Sequence, residues 1–223
     1  MFGLTRAGAV PMALALLLSA VPARAGMVEL SFTQEDSKEP LADVVVMVAS
    51  PAPVTPVESD MSQQDRAFTP DLLVVPKGSA VNFPNNDNTQ HHVYSFSSAK
   101  VFNIELYAGE PERPVVFDRA GIVELGCNIH DTMQAFILVA DTPYTARSGA
   151  AGIARLDIPD ELLDDSGDLT VHIWHPRLPD TSQMRTLALS GPLPIRQRLA
   201  LELAPEPASG AGFGGLQERF RNL

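Results

Sequence analysis

Cysteine occurs once in the 223 residues, at Cys127, and tryptophan once, at Trp174. A single thiol excludes an intrachain disulfide framework and any dinuclear centre bridged by two cysteines. Basic residues are scarce as well: 16 Lys and Arg stand against 27 Asp and Glu, for a formal net charge of -11. So acidic a surface repels nucleic acid and anionic lipid and favours a basic partner. Beyond the first 25 residues no apolar run reaches the length of a membrane-spanning helix. Between residues 59 and 141 no helical periodicity of convincing length is found either.

What is present is a chain that is 45% hydrophobic, enough for a substantial core. At its start Arg6 precedes an apolar run from Ala13 to Ala20, and Ala23-Arg24-Ala25 is a small-x-small cleavage pattern. That is the layout of a secretory signal over residues 1–25. A periplasmic protein is expected, beginning near Gly26, with its formal charge at -13 once Arg6 and Arg24 are gone. A lone cysteine in an oxidising compartment needs a reason, and the two on offer are ligation to a metal and burial as a small apolar side chain.

The rest of the chain reads as strands. Val28 to Phe32 and Asp43 to Val48 are β-branched, apolar runs around a polar turn, the pattern of a hairpin or meander. Pro51, Pro53 and Pro56 make the stretch to Glu58 a semi-extended junction. Short apolar runs follow at 72–75, 80–83, 93–96, 115–117, 122–125 and 135–139. Phe102, Ile104 and Leu106 alternate with polar neighbours, which predicts one buried face. Such spacing predicts an all-β sandwich or barrel. After the flexible join Ser148 to Gly152, further strands are expected at 153–158, 169–174, 185–189 and 196–203. Six acidic residues and no basic one between Asp157 and Asp168 predict a solvated turn or a single helical turn. Residues 204–223 are expected to form a flexible tail.

The chemistry concentrates in Gly126-Cys127-Asn128-Ile129-His130-Asp131-Thr132-Met133, a Cys-x2-His-x2-Met pattern. A tight turn after a strand brings three donors of this spacing round one point, and a histidine from a neighbouring strand completes the set. His91 and His92 are the candidates for it. Two imidazoles, a thiolate and a thioether suit a mononuclear copper centre with a trigonal His2Cys plane and a weak axial Met. Structural zinc prefers four strong donors, and methionine is a poor one. Asp131 is expected to face solvent. His172 and His175 point to opposite faces of an extended Val171-His172-Ile173-Trp174-His175 and cannot chelate one ion from the same strand. A packed Trp174 flanked by surface histidines is the expectation there. No oxyanion motif accompanies Cys127, which argues against a Cys-His-Asp hydrolase.

From about Ala67 to Asp141 the chain resembles the cupredoxins, the plastocyanin and amicyanin family. Asn85-Asn86-Asp87-Asn88-Thr89-Gln90-His91-His92-Val93 matches that family's approach to its first ligand histidine, and the Cys-to-Met loop has the amicyanin length. The resemblance puts His91 on the ligand and His92 where an Asn commonly braces the two ligand loops. It implies one type 1 copper centre held by His91, Cys127, His130 and Met133, with no catalytic residue. Phe83-Pro84-Asn85, His91 to Ser97, Gly126 to Asp131 and Trp174-His175-Pro176-Arg177 are also similar to exported proteins labelled methylamine utilisation protein or plastocyanin-like. The flanks resemble a carboxypeptidase-regulatory or transthyretin-like sandwich in Pro40 to Val46, Gly152 to Leu156 and Val171 to Trp174.

The fold expected is therefore all-β: a cupredoxin-type Greek-key β-sandwich over residues 59–141, with a second, discontinuous sandwich from 26–50 and 146–203. The resemblance implies a non-enzymatic one-electron carrier. Its partner would be a c-type cytochrome or a periplasmic dehydrogenase with a basic docking face. A copper chaperone or store, and a structural sandwich with a relic site, are the alternatives.

Overall fold

The computed structural model describes residues 25–206. The expected leader, 1–25, and tail, 204–223, lie outside the described residues except at their inner ends. Among the described residues, no helix is long and apolar enough to cross a membrane.

Among the described residues the regular structure is seventeen strands and one 3-10 turn. First come β1 (Ala25–Gln34) and β2 (Val45–Val48), then β3 (Glu58–Asp60), β4 (Ser62–Gln64), β5 (Ala67–Thr69), β6 (Leu72–Pro76) and β7 (Ser79–Asn82). β8 (His91–Ser97), β9 (Lys100–Tyr107), β10 (Val115–Phe117), β11 (Gly121–Gly126) and β12 (Gln134–Ala140) follow. Last are β13 (Thr145–Arg147), β14 (Ile153–Pro159), the 3-10 turn Asp160–Leu162, β15 (Asp168–Trp174), β16 (Arg185–Ser190) and β17 (Ile195–Leu201). The protein is all-β, and the acidic run after β14 holds the single turn expected of it.

Of the five sheets among the described residues, four stack through three apolar layers and the fifth is the β4-β5 pair. Sheets β14-β1-β17 and β13-β2-β15-β16 draw on both ends of the described chain. They enclose Val28, Leu30, Phe32, Val46, Val171 and Ile173. Sheets β6-β12-β11-β8-β9 and β10-β7-β3 come from the middle and enclose Val81, Phe83, Phe117, Val123, Leu125 and Ile137. Between the two pairs lies a third layer, in which Val45, Met47 and Trp174 meet Leu72, Phe136 and Leu138. The Phe136 and Trp174 rings pack edge to face there with centroids 5.0 Å apart. Arg147 bridges the same boundary, its Nη1 donating to the Leu72 carbonyl at 3.1 Å and its Nε to Asp43 at 2.8 Å.

This stacking explains two sequence patterns that do not alternate. All four residues of β2 are buried, and in β12 every residue from Ala135 to Ala140 is buried. Each strand has a core on both faces, so neither face needs polar side chains.

Three expectations are corrected. The first two apolar runs form no hairpin: β1 and β2 lie in different sheets, because β1 pairs with β14 and β17 while β2 pairs with β13 and β15. Leu106 is exposed, while Phe102 and Ile104 are half-buried against the core. The β8–β9 register jumps from Val93↔Ile104 to His91↔Tyr107, and the extra residue on β9 reverses its facing. Finally, His175 is buried rather than at the surface.

Candidate metal centre

The Cys-x2-His-x2-Met loop is the turn between adjacent antiparallel strands. β11 and β12 pair from Gly121↔Val139 to Gly126↔Gln134, so Cys127 to Met133 must double back within seven residues. Two backbone bonds close it: Met133 N–H donates to the His130 carbonyl at 2.9 Å, and Cys127 N–H to the Met133 carbonyl at 3.3 Å. Alternation along β11 points Val123, Leu125 and then Cys127 inward, and Cys127 and Met133 are both buried in the inner core. His130 is part-exposed, while Asn128, Ile129, Asp131 and Thr132 around it are exposed.

The remote donor comes from β8. That strand neighbours β11 through Gly126↔Tyr94, and its buried residues His91, Val93 and Ser95 face the core. His92 faces the other way, its ring 5.4 Å from that of Tyr94. Gly126 permits this close pairing, since a Cβ there would come within 2.9 Å of the Tyr94 ring and hydroxyl. Burial, followed by the charges of Cys127, Asp131 and Glu124, pushes the Tyr94 hydroxyl up.

His91, Cys127 and His130 each offer a donor atom within 4.8 Å of the others. The two Nδ1 atoms are 3.2 Å apart, and Cys127 Sγ lies 4.0 Å from His91 Nδ1 and 3.8 Å from His130 Nδ1. With metal–nitrogen bonds of about 2.0–2.1 Å and a metal–thiolate bond of about 2.3 Å, such separations subtend roughly 105°, 120° and 135°. Those angles are ones a single ion could accept, so His91, Cys127 and His130 together could hold one metal. The residues present thus fit a trigonal metal. Burial, then the charges of His91 and Arg66, hold the His130 imidazole below its ordinary range, with Asp87 opposing. A neutral imidazole is the form that ligates.

A polar shell surrounds the donors, and the sequence did not announce it. His91 Nε2 lies 2.6 Å from Asp87 Oδ2. Asp87 also accepts the N–H groups of Asp65 and Arg66, and chiefly the Arg66 bond holds its carboxyl below the usual range. Asn85 Nδ2 donates to the carbonyls of Thr89 and Tyr107, each at 2.9 Å, and its Oδ1 accepts from Asp87 N–H, so the loop before His91 is tied to β9. Buried Gln63 bonds to Tyr107, whose hydroxyl donates to the Phe83 carbonyl. Burial pushes that hydroxyl up to about 12. Asp65, Arg66, Asp87, Asn88 and Thr89 line a polar recess of about 500 Å³ beside these groups.

The other singled-out residues lie elsewhere. Asp131 is exposed on the loop. His172 Nδ1 meets Thr186 Oγ1 at 3.0 Å on the sheet, and His175 Nδ1 accepts from Arg177 N–H at 3.1 Å.

No protein-family model matches the chain, and no curated protein matches it. Solved structures similar to it include a Cu-containing nitrite reductase from Thermus scotoductus SA-01, 21% identical over 43% of this chain, with a TM-score of 0.36. The match spans a quarter of the length of that reductase (25%). A purple cupredoxin from Nitrosopumilus maritimus is 20% identical, covering 37% of this chain and 99% of its own, with a TM-score of 0.32. A reduced Cu(I) form of an amicyanin mutant is 17% identical, covering 43% and 98%, with a TM-score of 0.35.

Proposed function

We propose that the protein is an exported mononuclear copper protein that carries one electron at a time between redox partners and transforms no substrate itself. The observation that carries this reading is the triangle of His91 Nδ1, His130 Nδ1 and Cys127 Sγ, with Met133 buried in the same core. Two imidazoles and a thiolate would hold the ion with the weak thioether of Met133 as a further donor, a set that suits copper better than zinc, which favours four strong donors. Bound copper would supply a Cu(II)/Cu(I) couple.

The chain supplies the rest. Cys127 and Met133 are fixed at the two ends of a hydrogen-bonded turn, and His91 is fixed in a sheet strand with no exposed surface. Donors held this way move little when an electron arrives, which keeps reorganisation small. The same burial keeps water from the thiolate and argues against a copper store, which needs ligands open to exchange. His130 is the ligand with an edge at the surface, and it serves as the electron port. The formal charge of -11 favours a basic docking face on the partner. A c-type cytochrome or a periplasmic dehydrogenase fits.

Copper titration followed by voltammetry tests this reading. One ion per chain and a reversible one-electron wave are expected. Copper binding without a reversible wave, or zinc held in preference to copper, defeats it.

A further inference from the structure

Asp87 joins two parts of the chain that lie 22 residues apart. Its Oδ1 accepts the Asp65 N–H at 2.7 Å and its Oδ2 the Arg66 N–H at 3.0 Å. Asp65 and Arg66 form the two-residue turn between β4 and β5, and both are non-glycine residues with positive φ, 55° and 58°. A turn of that hand suits a tight hairpin, and here it presents two successive amides to one carboxylate. Asn86, the residue before Asp87, donates its N–H to the Gln63 carbonyl at 2.8 Å, a second tie between the two segments. Asp87 is thus an anchored anion rather than a swinging side chain.

The same Oδ2 faces His91 Nε2 at 2.6 Å, and the His91 side chain has no exposed surface. An ionised carboxylate only accepts hydrogen bonds, so the imidazole nitrogen facing it carries the proton. In a neutral ring the other nitrogen then has its lone pair free. That nitrogen is Nδ1, the atom aimed at Cys127 Sγ and His130 Nδ1.

We propose that Asp87 is a positioning residue for the metal centre: anchored on the β4–β5 turn, it holds His91 as the Nε2–H tautomer before any metal arrives. When copper binds, the same contact pushes electron density through the imidazole and favours the more highly charged, oxidised ion. Only this second half rests on the function proposed above. The first is a property of the metal-free chain.

Long-range 1H–15N correlation spectra of the metal-free full chain report the tautomer of each histidine. His91 is expected as Nε2–H in the wild type. In Asp87→Asn, which keeps the shape but removes the charge and offers an amide, that single tautomer is lost. Asn88→Ala, in the same recess, keeps it. In the copper-loaded proteins Asp87→Asn binds the metal about 10–100-fold more weakly, the usual cost of removing such a partner, and has a higher potential than wild type. A merely structural role would lower thermal stability but leave tautomer and potential where they were. The proposal is overturned if wild-type His91 carries its proton on Nδ1, or if Asp87→Asn keeps the tautomer or the potential. A wild-type chain that takes up no copper refutes the function above and leaves the tautomer result standing.

Discussion

Acidifying the metal-free protein should weaken it through His175, which is not part of the donor triangle. His175 is 5% exposed, and burial, reinforced by the Arg177 charge, lowers its pKa to about 4 against an ordinary value of 6.5. Asp43 and the Ala42 carbonyl oppose this and lose. Between those two pH values the unfolded chain binds a proton that the folded chain refuses, so acid favours unfolding. The stabilisation is fully present above about pH 6.5 and is lost as pH falls towards about 4. A gap of about 2.5 pH units at about 1.4 kcal/mol each sets an upper bound of about 3.5 kcal/mol. That is a large share of the ~5–15 kcal/mol typical of a folded protein. Trp174 is the only tryptophan and adjoins His175, so its fluorescence follows urea unfolding at a series of pH values. His175→Asn retains an acceptor near Nδ1 for the Arg177 N–H and cannot titrate. Its curve should be flatter than wild type between pH 4 and 6.5, whatever its absolute stability. Parallel curves would refute the reasoning, because the other acidic and histidine groups are common to both proteins.

The paired histidines should separate cleanly. His91→Gly is expected to lose copper binding by titration, whereas His92→Asn should bind copper like wild type, since neither His92 ring nitrogen has a hydrogen-bond partner to lose among the described residues. Gly152→Ala should cost about 3 kcal/mol or more in urea unfolding. Its φ is +72°, a conformation that costs an L residue roughly 1–2 kcal/mol, and its Cβ would meet the Phe32 carbonyl oxygen at 2.4 Å. Gly149→Ala, with nothing within 4 Å of the new Cβ, should stay within about 0.5 kcal/mol of wild type.

Much of this architecture was legible because strand patterns are local. The apolar runs at 72–75, 115–117, 122–125 and 135–139 fall within β6, β10, β11 and β12. The Cys127 loop was legible because its three candidate donors fall within seven residues, and strand parity leaves only one of His91 and His92 facing inward. The strands β3, β4, β5 and β13 went unseen, being three residues each, too short to show an alternation. With β4 and β5 hidden, the Asp65-Arg66 turn, which lacks the usual glycine, gave no hairpin signal. The Asp87 clamp was therefore invisible, although Asp87 stands only four residues before His91. The exposure of Leu106 depends on a register jump that no single strand encodes. His175 is buried although it stands one residue past the end of β15, where strand alternation predicts nothing.

The central claim is that Cys127 is a thiolate donor to copper, and the visible spectrum of the copper-loaded oxidised protein tests it most directly. A thiolate bound to Cu(II) in a trigonal plane gives an intense charge-transfer band near the middle of the visible range. Wild type should show that band, and Cys127→Ser should lack it while circular dichroism still reports a folded β protein. A wild type with only weak absorption, or an equally intense band in Cys127→Ser, would contradict the account.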